Sequence, residues 1–148
     1  MSTPPAIYGE FGQALAFAER TLTATLHEHL AQRGTTPGTW YALRLIATRG
    51  PGLAREELSH DLEGSRNVDA GTVPGLLAQL EADGLIRGDD RLDLTADGEA
   101  RYRSLREYVA APTARLLDQF ELHDVETTIT TLQAIAQRAA AEPARSPQ

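Results

Sequence analysis

A mainly α-helical fold is predicted for this 148-residue chain by three observations. Apolar residues recur at helical spacing along extended segments near both ends. The middle breaks into short helical stretches punctuated by Gly and Pro. One short pair of alternating segments reads as a β-hairpin. The length suits one domain, residues 1–148, with a sizeable hydrophobic core.

From Ala6 to about Arg33 the residues Ile7, Tyr8, Phe11, Leu15, Ala18, Leu22 and Leu26 fall in one stripe. They predict a long amphipathic helix, closed by Gly34. Such a stripe needs a partner, from this chain or from a second copy. Thr36-Pro37 opens a second helix carrying Trp40, Leu43, Leu45 and Ile46, which ends before Arg49-Gly50-Pro51-Gly52. A third helix runs from about Ala54 to Leu62, with Leu58 and Leu62 one turn apart. The turn that follows, Glu63-Gly64-Ser65-Arg66-Asn67, is longer than a tight helix-turn-helix connection. A fourth helix from about Asp69 to Asp83 buries Val73, Leu76, Leu77 and Leu80 and stops at Gly84.

Leu85-Ile86-Arg87 and Leu92-Asp93-Leu94, joined by Gly88-Asp89-Asp90-Arg91, form the hairpin. Thr95 caps a long helix with the stripe Tyr102, Leu105, Val109, Leu116 and Phe120, kinked at Pro112. A last helix from about Asp124 to Ala141 carries Val125, Ile129, Leu132 and Ala136 on one face. The ends before Pro5 and after Glu142 are rich in Pro, Ser and Ala and are expected to fray.

Composition narrows the chemistry. Cysteine is absent, which excludes disulfides, thiolate metal sites and thiol nucleophiles. The formal charge is −7, and all 14 basic residues are arginines. No basic region followed by an apolar run opens the chain, and no stretch approaches the roughly 18 apolar residues of a membrane span. A cytoplasmic protein without a membrane partner is the expectation.

The segments Thr36-Pro37-Gly38-Thr39-Trp40-Tyr41-Ala42-Leu43-Arg44, Glu57-Leu58, Thr72-Val73 through Leu80-Glu81-Ala82-Asp83-Gly84-Leu85-Ile86, and Leu94-Thr95-Ala96-Asp97-Gly98 occur in that order. Over nearly the whole chain they resemble the MarR family of bacterial transcriptional regulators. The resemblance implies a winged helix-turn-helix lobe over residues 35–94, set between dimerisation helices over 6–33 and 95–141. It implies a homodimer reading double-stranded DNA with two-fold symmetry. It also implies a crevice between lobe and dimerisation helices in which small aromatic acids or phenols bind and alter DNA affinity.

Two departures from the family pattern stand out. With Val73, Leu76, Leu77 and Leu80 inward, the outer face of the fourth helix holds Gly71, Pro74, Gly75, Ala78 and Ala82, none of which can donate to a base edge. Only Thr72 and Gln79 on its flanks could. The wing is short, and residues 35–100 carry six arginines against twelve acids. Arg55, Arg66, Arg87 and Arg91 are the candidate phosphate contacts, or else solvated surface arginines. Two functions therefore stand side by side. One is a ligand-responsive DNA-binding regulator. The other is a dimer of the same fold that has lost DNA binding and keeps its crevice as a binder of, or catalyst on, an aromatic compound.

Trp40 and Arg44 are one helical turn apart, so an aromatic wall with a guanidinium beside it is expected there, suited to an aromatic carboxylate or phenolate. Tyr8, Phe11 and Tyr102 could complete the pocket, and Trp40 could equally be core. His27 and His29 are about 160° apart on their helix and cannot share a metal ion within one subunit. His29 lies on the apolar stripe, as a half-buried residue or a crevice wall; His60 and His123 read as surface residues. No catalytic triad spacing, phosphate loop, dinucleotide fingerprint or metal-ligand cluster is present, so no catalytic residue, cofactor or metal is assigned.

Overall fold

The computed structural model describes residues 3–142. Two compact units divide the chain, Met1–Val109 and Ala110–Gln148, with the boundary inside the fifth helix. Of the two ends expected to fray, Thr3–Pro5 are exposed coil, while residues 143–148 lie outside the described residues.

The first unit opens with α1 (Tyr8–Gln32) and α2 (Pro37–Arg49). Thr36 starts α2 as expected, its hydroxyl oxygen accepting from the Thr39 amide at 3.2 Å, with Pro37 in the first turn where no intrahelical donor is needed. Next come β1 (Leu53–Ala54) and α3 (Arg55–Glu63). β1 is absent from the sequence expectation, which began a helix at Ala54. The two residues are too few to show alternation, and pairing with the hairpin draws them into a strand.

The fourth helix is shorter than expected. Residues Ala70–Thr72 form a separate 3₁₀ turn, and α4 spans only Val73–Ala82. The Asp69 carboxylate accepts from the Gly71 amide, and Thr72 donates its hydroxyl to the Asp69 carbonyl at 2.6 Å, so neither side chain caps α4. Pro74 in the first turn offers no N–H, and Gly71 and Gly75 disfavour helix around it. Leu76, expected inward, is only half-buried against the core.

Gly84 ends α4 at φ +73°, a left-handed conformation that glycine adopts without strain. Its amide donates to Glu81 O and that of Leu85 to Leu80 O, both at 3.0 Å, so two of the helix's last carbonyls are satisfied. The chain passes directly into β2 (Ile86–Arg87) and β3 (Arg91–Leu94). The antiparallel sheet has the order β1-β3-β2, with Leu53 opposite Leu92 and Ile86 opposite Leu94. Leu92 and Ile86 point into the core, which also takes Leu30 from α1, Leu43 and Ile46 from α2, Leu58 and Leu62 from α3, and Leu77 and Leu80 from α4.

Thr95 joins the sheet to α5 (Ala96–Leu117). Its hydroxyl oxygen accepts from the Gly98 amide at 3.0 Å while donating to the Gly84 carbonyl, and its own amide donates to Leu85 O at 3.0 Å. A Cβ on Gly98 would overlap the Leu85 carbonyl oxygen, so only glycine allows α5 to start this close. α5 remains helical through Pro112.

In the second unit α5 ends at Leu117. Phe120, expected on its stripe, instead lies in the turn whose amides at Gln119 and Phe120 return to Leu116 and Leu117. The last helix, α6, runs Leu122–Ala141, two residues longer at its start than expected. None of its residues is buried, and Leu122, Ile129 and Ile135 are exposed. Among the described residues no helix is long and apolar enough to cross a membrane.

The close approach at Gly98 gives a direct prediction. Gly98→Ala forces the α5 start off the Leu85 backbone and costs about 1–3 kcal/mol in urea unfolding, whereas a loss within about 0.5 kcal/mol would contradict the tight junction.

Candidate functional site

The residues expected at a nucleic-acid face are dispersed, and several are engaged elsewhere. The exposed side of α4 presents Pro74, Gly75, Ala78 and Ala82. Gln79 donates its amide to Asp83 at 2.8 Å, and Thr72 is turned back on Asp69. Arg91 donates to Gly52 O at 2.9 Å. Arg55 holds the wing turn, donating to Asp89 O at 2.7 Å and Gly88 O at 3.2 Å while pairing with Glu81. Its amide also donates to Asp90 O at 2.8 Å, so the three turn carbonyls all close on one residue at the head of α3. Arg66 borders a hollow of about 300 Å³ with Asn67 and the α1 residues Arg20 and His27, away from the wing.

The aromatic residues form three groupings rather than one pocket. Trp40 is 4% exposed and stacks on Tyr102, ring centroids 5.8 Å apart and planes 19° apart. The Arg44 guanidinium lies 5.2 Å over Tyr41, not beside the indole. Both positions are one turn from Arg44, and the charge stays hydrated over the half-exposed ring rather than entering the core. His27 meets the edge of Tyr41 at 6.4 Å. Burial pushes the Tyr41 phenol above its ordinary value of 10.0; Arg44 opposes that shift and Glu19 adds to it.

His29 faces Tyr108 edge-on at 6.1 Å, and its Nδ1 lies 2.7 Å from the Thr25 carbonyl, which can only accept, so Nδ1 carries the proton. Tyr108 donates to Gln32 at 3.1 Å beneath the Arg33 guanidinium, 4.2 Å from its ring. Sequence reasoning passed over Tyr108. Tyr8 and Phe11 remain 67% and 43% exposed near the start of α1 and join none of the three groupings.

A groove of about 630 Å³ lies between the C-terminal end of α2, the wing and the first turns of α5. Its apolar floor is Ile46, Pro51 and Leu94, and Tyr102 forms part of its wall, with the Arg106 guanidinium 5.7 Å from the ring centroid. Arg87 and Arg103 line it as well. Among the described residues the ion pairs are Arg49 with Glu57 and Asp61, and Arg55 with Glu81, so the three groove arginines have no carboxylate partner. Asp93 stands opposite Arg87 in the sheet, yet its carboxylate accepts from the Gly52 amide at 2.7 Å. Arg103 and Arg106 were missed from the sequence. The spacing Glu99, Tyr102, Arg103, Arg106 places all four on one helical face and could have revealed them. Arg87 was read as a phosphate contact or a solvated surface arginine, not as a groove residue.

No protein-family model matches the chain, and no curated protein matches it. Solved structures do. The MarR family protein of Bacillus stearothermophilus is similar with a TM-score of 0.77 at 21% identity, over 94% of this chain and 99% of that one. The chain has the MarR fold. The Mycobacterium tuberculosis MarR family protein Rv2887 in complex with DNA is similar with a TM-score of 0.70 at 22% identity, over 90% of this chain and 98% of that one. The same protein in complex with p-aminosalicylic acid gives 0.68 at 22% identity, over 90% and 99%. In this MarR fold the wing is short and is closed by Arg55.

Removing that closure is a specific test. Arg55→Ala leaves the Gly88 and Asp89 carbonyls without their side-chain donor, while the backbone bond to the Asp90 carbonyl stays, and is expected to speed amide exchange across residues 88–91, with a stability loss of about 1–2 kcal/mol. Unchanged protection of the wing would show that Arg55 does not hold it.

Proposed function

We propose that the chain is a homodimeric, ligand-responsive DNA-binding transcriptional regulator of the MarR type, acting in the cytoplasm. The observation that carries this reading is the fold match, over 90% of the chain, to a MarR family protein solved on DNA. Residues 1–148 act as one functional domain, with the lobe at 35–94 between dimerisation helices at 6–33 and 95–141.

The terminal helices support the dimer. Ile7, Phe11, Leu15, Phe17 and Leu22 of the α1 region and Leu122, Ile129 and Ile135 of α6 are exposed large apolar side chains, an unusual amount for a lone soluble chain. Burying such surface yields roughly 25 cal/mol per Å². The double variant Phe11→Asp/Ile129→Asp is expected to sediment as a monomer or to unfold, and a well-folded dimer would count against this interface.

The effector site is the groove and the Trp40–Tyr102 stack behind it, the structure of a similar protein with p-aminosalicylic acid supporting a small aromatic ligand. His29, Arg44, Tyr8 and Phe11 border it only if the second subunit contributes. DNA is held chiefly through phosphates, because Gln79, already bonded to Asp83, is the one side-chain donor on α4, with Arg66 and Arg87 as the contacts and Arg91 contributing its remaining N–H groups.

That same bare face favours the second reading, a dimer that binds or converts an aromatic compound without DNA. Gel retardation of the chain's own upstream fragment separates the two. The regulator is expected to retain it at about 50 mM salt and lose affinity steeply toward about 200 mM. No retention of any genomic fragment at the lower salt would sink the regulator and leave the second reading.

A further inference from the structure

The hollow beside Arg66 holds charges of both signs that do not neutralise one another. On α1, Glu19, Thr23 and His27 follow at four-residue spacing, with Arg20 and Ala24 in the next row. Arg66 and Asn67 complete the lining from the turn after α3, where the Asn67 amide donates to Ser65 Oγ at 3.2 Å. The volume, about 300 Å³, suits a small molecule. Ala24 is the smallest of these side chains, and a longer one in its place would take up the space. At about 100° per residue, the α1 lining is centred roughly 130° round the helix from the stripe of Ile7, Phe11, Leu15 and Leu22. A second copy seated on that stripe therefore leaves the hollow open.

Apart from the His27 imidazole, no ring and no large apolar side chain lines it, so it does not suit an aromatic body. Among the described residues neither Arg20 nor Arg66 forms an ion pair, and the Glu19 carboxylate accepts from the Thr23 hydroxyl at 3.1 Å. A lone anion is opposed by Glu19 and a lone cation by the two guanidiniums. A molecule carrying both charges meets each with its opposite. His27 adds a polar requirement. Its ring lies edge-on to Tyr41, centroids 6.4 Å apart, and its Nε2 is buried with no hydrogen-bond partner among the described residues. An amide or hydroxyl brought beside that ring removes the cost of the unpaired nitrogen. We propose that this hollow is a site for a polar α-amino acid, its carboxylate between Arg20 and Arg66, its ammonium at Glu19 and its side chain toward His27 and Asn67. Such a site is independent of whether the chain binds DNA.

The test is calorimetric titration of the full chain with L-glutamine, N-acetyl-L-glutamine and L-glutaminamide. The second lacks the ammonium and the third the carboxylate. L-Glutamine is expected to bind at least about ten-fold more tightly than either. Glu19→Gln and Arg66→Gln are each expected to weaken it about ten-fold, and Glu19→Gln to erase its advantage over the N-acetyl form. Ala24→Leu fills the hollow with another good helix former and is expected to abolish binding. Arg101→Gln, an α5 arginine outside the hollow, controls for overall charge and is expected to bind as wild type. Equal binding of the three compounds, full binding by Ala24→Leu, or an Arg101→Gln loss as large as that of Arg66→Gln overturns the site. So does the absence of L-glutamine binding up to about 10 mM. If Ala24→Leu does not fold, Glu19→Gln decides: unchanged discrimination between L-glutamine and its N-acetyl form overturns the site.

Discussion

The lobe depends on one backbone junction. At Thr95 a single hydroxyl caps α5 and grips the end of α4, and the Thr95 amide takes the Leu85 carbonyl that a side chain at position 98 would displace. Three elements are thereby fixed to one another by groups with little conformational freedom. The end of α4 sets where the wing leaves, and the wing and α5 together set the groove. The arginines could not share a concavity if α5 began a few ångströms away.

The other constraint is that hydrogen bonds within the wing consume arginines that a DNA reader would present outward. A short wing has few residues to satisfy its own turn carbonyls, so Arg55 supplies donors to Gly88 and Asp89, while Arg91 is engaged by the Gly52 carbonyl ahead of β1. Of the lobe's arginines only Arg87 lines the groove, while α4 is left with small residues and paired polar ones. The sparse α4 face and the engaged wing arginines together leave few free donors on the lobe.

Much of this was legible in the sequence. The helix-start signal at Thr36-Pro37, the stop at Gly84 and the alternation of Ile86, Leu92 and Leu94 act through local chemistry and were met by the fold. What failed was non-local. β1 exists only because β3 pairs with it. The length of α4 turned on whether Thr72 would cap it or bond back to Asp69. Arg44 shares a helix face with Trp40, yet burial of the indole, a tertiary fact, sends the guanidinium to Tyr41. The groove arginines come from two distant segments, so no single helical stripe contains the site.

Under the proposed function this chain grips the DNA backbone rather than base edges. Measuring affinity for the upstream fragment against a scrambled duplex of equal length, at one fixed moderate salt, tests that most directly. The account predicts a preference within about ten-fold, since the one side-chain donor on α4, Gln79, is already bonded to Asp83. A preference of about a thousand-fold or more, the range of direct base readers, would contradict it.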